Sequence, residues 1–208
     1  MLEIIWIPLA ALGLCLAALL IERVRLVRAR RKIGIRIHVN GTRGKSSVTR
    51  LITGALRGSG MRAFAKTTGT LPRIIDEAGI EIPIVRPGPS TIGEQVRILA
   101  QVAATGRADA LVIECMALRP EYQDISERMI IQATIGVITN VREDHLDVMG
   151  PTERDVALAL CGSIPVNATL VTAERKYLPE IEVACRQRGC RFVVVTAADA
   201  EAVPASVM

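Results

Sequence analysis

Short apolar runs alternate with amphipathic segments along most of the chain. In residues 46–57 the apolar positions recur at intervals of three and four, which is the spacing of one helix face. Residues 93–104 repeat that spacing. The runs ALVIE (110–114) and ATIGVIT (133–139) are apolar on both faces, as in strands that helices cover on both sides. This alternation predicts an α/β domain with a mainly parallel sheet.

The same pattern sets approximate limits for each element. The predicted strands cover residues 33–39, 61–66, 110–114, 133–139, 169–172 and 191–195. The predicted helices cover residues 46–57, 93–104, 120–131, 152–161 and 177–188. The stretch RPGPST (86–91) predicts a loop before a helix.

An uncharged run, IIWIPLAALGLCLAALLI, precedes this domain at residues 4–21. As a helix it would span roughly 27 Å, close to the thickness of a bilayer's hydrocarbon core. Its positive charges follow the apolar run, whereas a secretory signal carries them in front. We therefore expect a transmembrane anchor at 1–22, a basic juxtamembrane segment at 23–32 and an ATP-binding domain at 33–208. A buried core helix is the alternative.

The charges are distributed unevenly. The chain has 26 Lys and Arg against 21 Asp and Glu, but residues 1–36 hold seven of the basic and two of the acidic groups. The positive-inside rule then places the domain in the cytoplasm, on a single-pass cell-membrane anchor. The basic run can bind anionic lipid headgroups. The remaining chain is neutral and has few aromatic residues, which argues against nucleic-acid binding.

Five cysteines form no CxxC pair, and the two histidines are far apart in sequence. This pattern predicts neither a disulfide framework nor a structural zinc site. Cys115 invites interpretation as a nucleophile, but a small buried apolar role fits it better, because no histidine is near it in sequence.

The sequence NGTRGKSS (40–47) lies between a predicted strand and a predicted helix. Gly41 and Gly44 permit a tight turn whose backbone N–H groups face phosphate oxygens, at the positive end of the helix dipole. Lys45 is placed to pair with phosphates and the Ser46 hydroxyl to bind Mg²⁺. The alternative is an ordinary strand-to-helix turn with a serine N-cap.

Two acidic positions follow other predicted strands. Glu114 ends ADALVIE, where a carboxylate at the carboxyl edge of a sheet suits a Mg²⁺ ligand; an edge salt bridge is the alternative. The next strand leads into VREDHLD (141–147), which predicts a second metal or phosphate site or, alternatively, a solvated acidic loop.

In this order and spacing, NGTRGKSS, the Glu114 strand and TNVREDHLDVMG resemble the Mur ligase superfamily. The apolar anchor, KTTGT (66–70), IGEQ (92–95) and ECMAL (114–118) resemble, within it, the ligase subunits of poly-γ-glutamate synthases. The resemblance implies a P-loop ATPase domain that uses ATP and Mg²⁺ to form an acyl phosphate on a γ-linked glutamate chain. The amine of an incoming glutamate then forms the amide. Other membrane subunits of a polymer synthase and exporter are the implied partners.

Site residues follow from the same motifs. The resemblance implies a phosphate loop made of Gly41, Thr42, Gly44, Lys45, Ser46 and Ser47. It implies the metal ligands Ser46, Glu114 and His145, and the catalytic residues Lys45, Glu114 and His145. It places Thr68 and Thr70 near the metal or the acid substrate, and Asn140 and Asp144 in support of the His145 loop. For Thr68 and Thr70, ordinary turn chemistry is the alternative.

The chain departs from the superfamily in two respects. Peptidoglycan ligases use a modified lysine that helps to hold a second metal, and no lysine stands just after DHLD here. Ligase subunits of the family also continue for about as many residues again, so we expect the C-terminal part of the family to be absent. Two other hypotheses remain open: a membrane-anchored P-loop ATPase or kinase for polysaccharide export, and a non-catalytic nucleotide-binding scaffold.

Overall fold

The computed structural model describes residues 2–69, 71–86 and 88–202. It begins with one helix, α1 (Leu2–Lys32), which continues from the apolar run through the basic run without a break. By length and composition the span Trp6–Lys32 could cross a membrane, and none of its most apolar window is buried. The alternative of a buried core helix therefore finds no support.

The rest of the chain alternates strands and helices, as the apolar pattern predicts. The strands are β1 (Ile35–Asn40), β2 (Ala63–Thr67), β3 (Arg73–Ile75), β4 (Glu81–Pro83), β5 (Ala110–Glu114), β6 (Ile135–Ile138), β7 (Thr169–Thr172) and β8 (Arg191–Val194). The helices are α2 (Lys45–Gly58), α3 (Gly93–Ala104), α4 (Pro120–Ile125), α5 (Leu146–Met149), α6 (Glu153–Leu160), α7 (Leu178–Gln187) and α8 (Ala197–Glu201). A π-helical turn (Ser126–Ile131) extends α4, and a 3₁₀ turn (Cys161–Ser163) follows α6.

The strands form one sheet in the order β4-β3-β2-β5-β1-β6-β7-β8. From β2 to β8 the neighbours are parallel, with β1 between β5 and β6. The hairpin of β3 and β4 adds two antiparallel strands at one end, which the apolar pattern did not predict. The α/β class with a mainly parallel sheet is confirmed.

Helices cover the two faces of the sheet unequally. On one face α2 packs Val48, Ile52 and Leu56 against β1 and β5. On the other face α3, the π-helical turn and the end of α1 share one core, in which Ala29 and Ile33 are buried. The pattern predicted helices on both faces of β6; on the α2 side its residues Ile135 and Val137 share an apolar cluster with Val48 and Ile52 of α2 but are only partly buried.

The end of α1 is part of the globular domain. Arg30 donates a hydrogen bond to the carbonyl of Met129 at 2.9 Å, and Arg36 donates to the carbonyl of Ile33 at 2.7 Å. The helix therefore reaches from the apolar segment directly into the core. The proposed boundary at residue 22 falls within this continuous helix, and the one at residue 32 coincides with its end.

Candidate nucleotide and metal site

The loop between β1 and α2 needs glycine at two positions. Gly41 has φ 133°, and a Cβ there would lie 2.1 Å from the Thr139 hydroxyl oxygen, which is a severe collision. Gly44 has φ 77°, in the left-handed region, and precedes the first residue of α2. The two glycines thus let the backbone turn tightly against the end of β6.

The N-terminus of α2 is open. No side chain caps it, so the predicted alternative, a turn with a serine N-cap, is wrong. Lys45 folds back over the loop, with Nζ 2.7 Å from the Gly41 carbonyl oxygen and 3.2 Å from that of Thr42. Backbone N–H groups at a helix start and a nearby ammonium group together attract phosphate. Ser47, in the same turn, is exposed.

Asn140 braces the phosphate loop from the neighbouring strand. Its Oδ1 accepts hydrogen bonds from the Thr42 hydroxyl at 2.7 Å and the Arg43 N–H at 3.1 Å, and its Nδ2 donates to the Arg43 carbonyl at 3.0 Å. The sequence placed Asn140 in support of the His145 loop. Its side-chain contacts lie instead with the phosphate loop.

Three chain segments meet at Glu114. Its Oε2 accepts a hydrogen bond from the Ser46 hydroxyl at 2.7 Å and another from the Thr68 N–H at 2.8 Å. The carboxylate ends β5 and is only 2% exposed. A hydroxyl and a carboxylate beside a phosphate loop are the hard oxygen ligands that Mg²⁺ takes together with nucleotide phosphates. Thr70, which the resemblance placed here too, lies outside the described residues.

His145 lies apart from this group. It has φ 47°, its side chain is 48% exposed, and its Nε2 is 3.8 Å from Asp144. Asp144 in turn lies 3.6 Å from Arg43 of the phosphate loop. Within the described residues no hydrogen bond or ion pair joins His145 to Ser46 or Glu114, and no three His, Cys, Asp or Glu side chains form a metal cluster. Metal binding by His145 stays a prediction.

A buried ion cluster that the sequence analysis missed lies on β2 and α3. The Lys66 ammonium is fully buried 3.0 Å from Glu94, which also pairs with Arg86 at 2.6 Å. Burial alone would raise the pKa of Glu94, but the hydrogen bond from Arg86 and the charge of Lys66 lower it to about 2. Burial lowers the pKa of Lys66. A lysine inside the apolar strand AFAKT was the available signal.

Glu174 is a second buried carboxylate that the sequence did not single out. It accepts hydrogen bonds from the Val141 N–H at 2.7 Å and from the N–H groups of Arg175 and Lys176 at 2.8 Å. Burial raises the pKa of this carboxyl, while the three N–H groups lower it. Glu174 follows β7 and fixes the start of the loop that carries His145. Its position just after a strand was the available signal.

Cys115 is buried beside Glu114, with its sulfur 3.9 Å from the carbonyl oxygen of Ala117. All five cysteines are free, and four of them are buried. The structure therefore shows no disulfide among them, and Cys115 is buried, but His38, which is distant in sequence, lies beside it on β1. The site thus has a glycine-rich turn, a lysine and a serine between the central strand β1 and its helix α2. The carboxylate that ends the adjacent strand β5 lies beside them. These features define a P-loop α/β domain.

Comparison with known proteins narrows this class. A model of the Mur ligase middle domain matches residues 39–206. The capsule biosynthesis protein CapB of Bacillus anthracis is 45% identical over 193 residues, covering 88% of this chain and 40% of that protein. The PGA synthase CapB of Bacillus subtilis (strain 168) is 39% identical over 191 residues, covering 91% of this chain and 48% of that protein. The chain belongs to the Mur ligase family, a family of ATP-dependent ligases.

Solved structures share the fold. FolC of E. coli in complex with ADP superposes with a TM-score of 0.63 at 20% identity, covering 82% of this chain and 46% of that chain. The bifunctional folylpolyglutamate synthase/dihydrofolate synthase of Yersinia pestis, complexed with AMPPNP and Mn ion, gives 0.64 at 18% identity, covering 85% and 47%. The chain thus spans less than half the length of each of these relatives.

Proposed function

We propose that this chain is the ATP-binding part of an amide ligase that adds glutamate to a poly-γ-glutamate chain through an acyl phosphate. The observation that carries the proposal is the contact of the Ser46 hydroxyl with Glu114 at 2.7 Å, beside the open N-terminus of α2. The names of the two Bacillus relatives, a capsule biosynthesis protein and a PGA synthase, support the polymer as substrate.

Phosphate binding falls to the loop and the first turn of α2. Gly41, Thr42 and Gly44 shape a backbone whose N–H groups can face phosphate oxygens. Lys45, now on two loop carbonyls, is free to exchange those contacts for the β- and γ-phosphates of ATP. Ser47 would contribute from the exposed side of the same turn.

The oxygen donors of Ser46 and Glu114 fit Mg²⁺, and His145 would complete the metal site from the loop after β6. When bound, Mg²⁺ neutralises charge on the phosphate oxygens during transfer. Thr68 already reaches Glu114 through its backbone, and we assign Thr68 and Thr70 to the acid substrate or the metal. Asp144 would hold His145 in place.

The reaction needs no protein nucleophile. A terminal carboxylate oxygen of the polymer attacks the γ-phosphorus of ATP, the bond to the ADP oxygen breaks, and an acyl phosphate forms. The amine of glutamate then attacks the acyl carbon, releasing inorganic phosphate and a proton and forming the amide. Lys45 stabilises negative charge during the first step by its position, which is how protein groups accelerate phosphoryl transfer.

Hydroxylamine trapping tests this chemistry. The chain is incubated with Mg-ATP, a short γ-glutamyl acceptor and hydroxylamine, beside a Lys45→Ala variant. We expect a hydroxamate that requires both ATP and Lys45. ATP hydrolysis without hydroxamate would favour the membrane ATPase hypothesis, and nucleotide binding without turnover would favour the scaffold.

We further propose that α1 anchors the domain to the cytoplasmic face of the cell membrane, beside other membrane subunits of the synthase. Arg28, Arg31 and Lys32 remain exposed where the helix enters the domain, which suits anionic lipid headgroups. Deleting residues 1–22 should release a folded domain, because the buried contacts of α1 begin further along the helix. Retention of this variant in the membrane fraction would mean that another attachment exists.

A further inference from the structure

The strand that carries the phosphate loop is held by two buried polar contacts from one helical segment. Asn40 Nδ2 donates to Gln123 Oε1 at 2.7 Å, and His38 Nδ1 lies 2.7 Å from Glu127 Oε2. His38 and Asn40 are alternate residues of β1, and Gln123 and Glu127 are four residues apart. Both spacings correspond to about 6 Å, so the helical segment fits β1 in one register.

Gln123 also connects the two loops of the site. Its partner Asn40 accepts, through Oδ1, a hydrogen bond from the Gly41 N–H at 2.8 Å, where the phosphate loop begins. At its other end, Gln123 Nε2 donates to the carbonyl of Leu118 at 2.9 Å, in the segment that follows Glu114. The Gln123 side chain therefore links the phosphate loop to the segment that follows Glu114.

The hydrogen bonds of Asn40 and Gln123 are shielded from water, whereas the buried His38 Nε2 beside them has no partner. Asn40 and Gln123 are 3% and 0% exposed, and Asn40 Nδ2 also donates to the Ser163 hydroxyl at 3.0 Å. The Ser163 hydroxyl in turn donates a hydrogen bond to the Leu160 carbonyl at 2.8 Å. A buried polar group that loses its partner costs about 1–3 kcal/mol, so each amide is confined to one orientation.

We propose that Gln123 is a positioning residue for nucleotide binding. It touches no substrate and acts through Asn40 and Leu118, holding the phosphate loop and the segment after Glu114 at a fixed separation. A phosphate loop held in its binding conformation loses less conformational entropy when ATP arrives. The inference rests on the proposed function, because it assumes that this loop binds ATP.

Equilibrium titration of the full chain with Mg-ATP, in detergent, tests the proposal. Gln123→Met keeps the length of the side chain and removes both hydrogen bonds, so we expect the Kd for Mg-ATP to rise about tenfold. Gln95→Met is the control for loss of a buried amide, since Gln95 is also fully buried but its side chain accepts only from Ser126 and its Nε2 has no partner. It should leave the Kd unchanged.

A second variant separates positioning from general packing. In Gln123→Glu the carboxylate can accept from Asn40 but cannot donate to Leu118, whereas its protonated form can do both. Its affinity relative to wild type should therefore recover as the pH falls from about 8 to about 6, because burial raises the pKa of a carboxyl. This variant also carries the test if Gln123→Met does not fold.

Three results would overturn the inference. They are wild-type affinity in Gln123→Met, an equal loss of affinity in Gln95→Met, and no recovery of Gln123→Glu at lower pH. A wild-type chain that binds no Mg-ATP would instead overturn the proposed function, and this inference with it.

Discussion

Two loops leave the carboxyl edge of the sheet side by side, and they are held in different ways. The phosphate loop, residues 41–44, is fixed by hydrogen bonds of 2.7–3.1 Å from Asn40 and Asn140. The loop that carries His145 is fixed at Glu174, and the His145 carbonyl accepts hydrogen bonds from α5 at 2.9 Å, but the side chains of Asp144 and His145 make only charge pairs at 3.6 and 3.8 Å. The phosphate half of the site is formed in advance, whereas the side chains of the other half are loosely held.

This difference matters for catalysis and for stability. Donors that the protein holds in place need no rearrangement when charge develops, so the phosphate half can supply most of the electrostatic stabilisation. A half-exposed histidine contributes little to folding, whereas a buried carboxylate with two hydrogen bonds contributes to both folding and chemistry. A variant at the buried carboxylate should therefore lower both activity and stability, whereas a variant at the exposed histidine should lower activity alone.

The largest effect is expected for Lys45→Ala. Removal of the ammonium should lower phosphoryl transfer by about 10³-fold, because one preorganised charge is lost at the transferring group. The melting temperature should hardly change, since Lys45 is partly exposed and contacts only two loop carbonyls. ADP release and thermal unfolding measure the two quantities. Arg97→Ala, an exposed change on α3, is the control, and ATP turnover retained in Lys45→Ala would contradict the assignment.

Glu114→Gln tests the buried carboxylate. The amide keeps the volume and can still accept a hydrogen bond from Thr68, but it binds Mg²⁺ poorly. We expect kcat to fall about 10²-fold and the Mg²⁺ requirement to rise, with a loss of about 1 kcal/mol in the free energy of unfolding. Measuring activity as a function of magnesium concentration tests whether Glu114 binds the metal, and the exposed variant Glu143→Gln is the control. An unchanged magnesium requirement would exclude Glu114 as a ligand.

These expectations show which parts of the site were visible in the sequence. The glycines, Lys45, Ser46 and Glu114 stand in a contiguous motif and at a strand end, and parallel strands bring such positions to one edge. The structure accordingly places Ser46 against Glu114. Asn40 and Gln123 were not predicted, because their contact joins residues 83 positions apart and depends on how a helix docks on β1.

The fold, like the site, was predictable where the sequence carries a local pattern and not where contacts distant in sequence decide. Strands and helices with a clear apolar period were predicted within a few residues, including β1, α2 and β5. The strands β3 and β4 were missed because each has three residues, too few for a periodic signal, and their pairing depends on contact with β2. The continuity of α1 into the core was missed because its basic run indicated a surface segment.

Variants of the Glu94, Lys66 and Arg86 cluster test whether burial determines how much stability is lost with a charge. The pKa of Glu94 lies below its ordinary value, so the ionised carboxyl stabilises the fold above pH about 4.5, and this is lost as the pH falls toward 2. We expect about 2 kcal/mol of this stabilisation to be lost at pH about 3, because most of the interval between the ordinary pKa of 4.5 and the pKa of about 2 has then been crossed.

Urea unfolding at neutral pH and at pH about 3 measures this effect, and Glu94→Gln should remove most of the difference. Glu81→Gln is the matched control, because Glu81 also pairs with arginine but is exposed. Exposed pairs contribute about 0–1 kcal/mol. An equal loss in both variants would mean that burial does not distinguish the two pairs.

His145→Asn should give the smallest effect and the sharpest contrast with Glu114. Asparagine tolerates the left-handed backbone at this position, so the variant removes the imidazole without adding strain. We expect kcat to fall about tenfold and the magnesium requirement to rise, as for loss of one peripheral ligand, while the melting temperature stays at the wild-type value. Exposed Asp147→Asn in α5 is the control. A fall in melting temperature comparable to that of Glu114→Gln would mean that the His145 loop is as firmly built as the phosphate loop. Unchanged kinetics would remove His145 from the metal site.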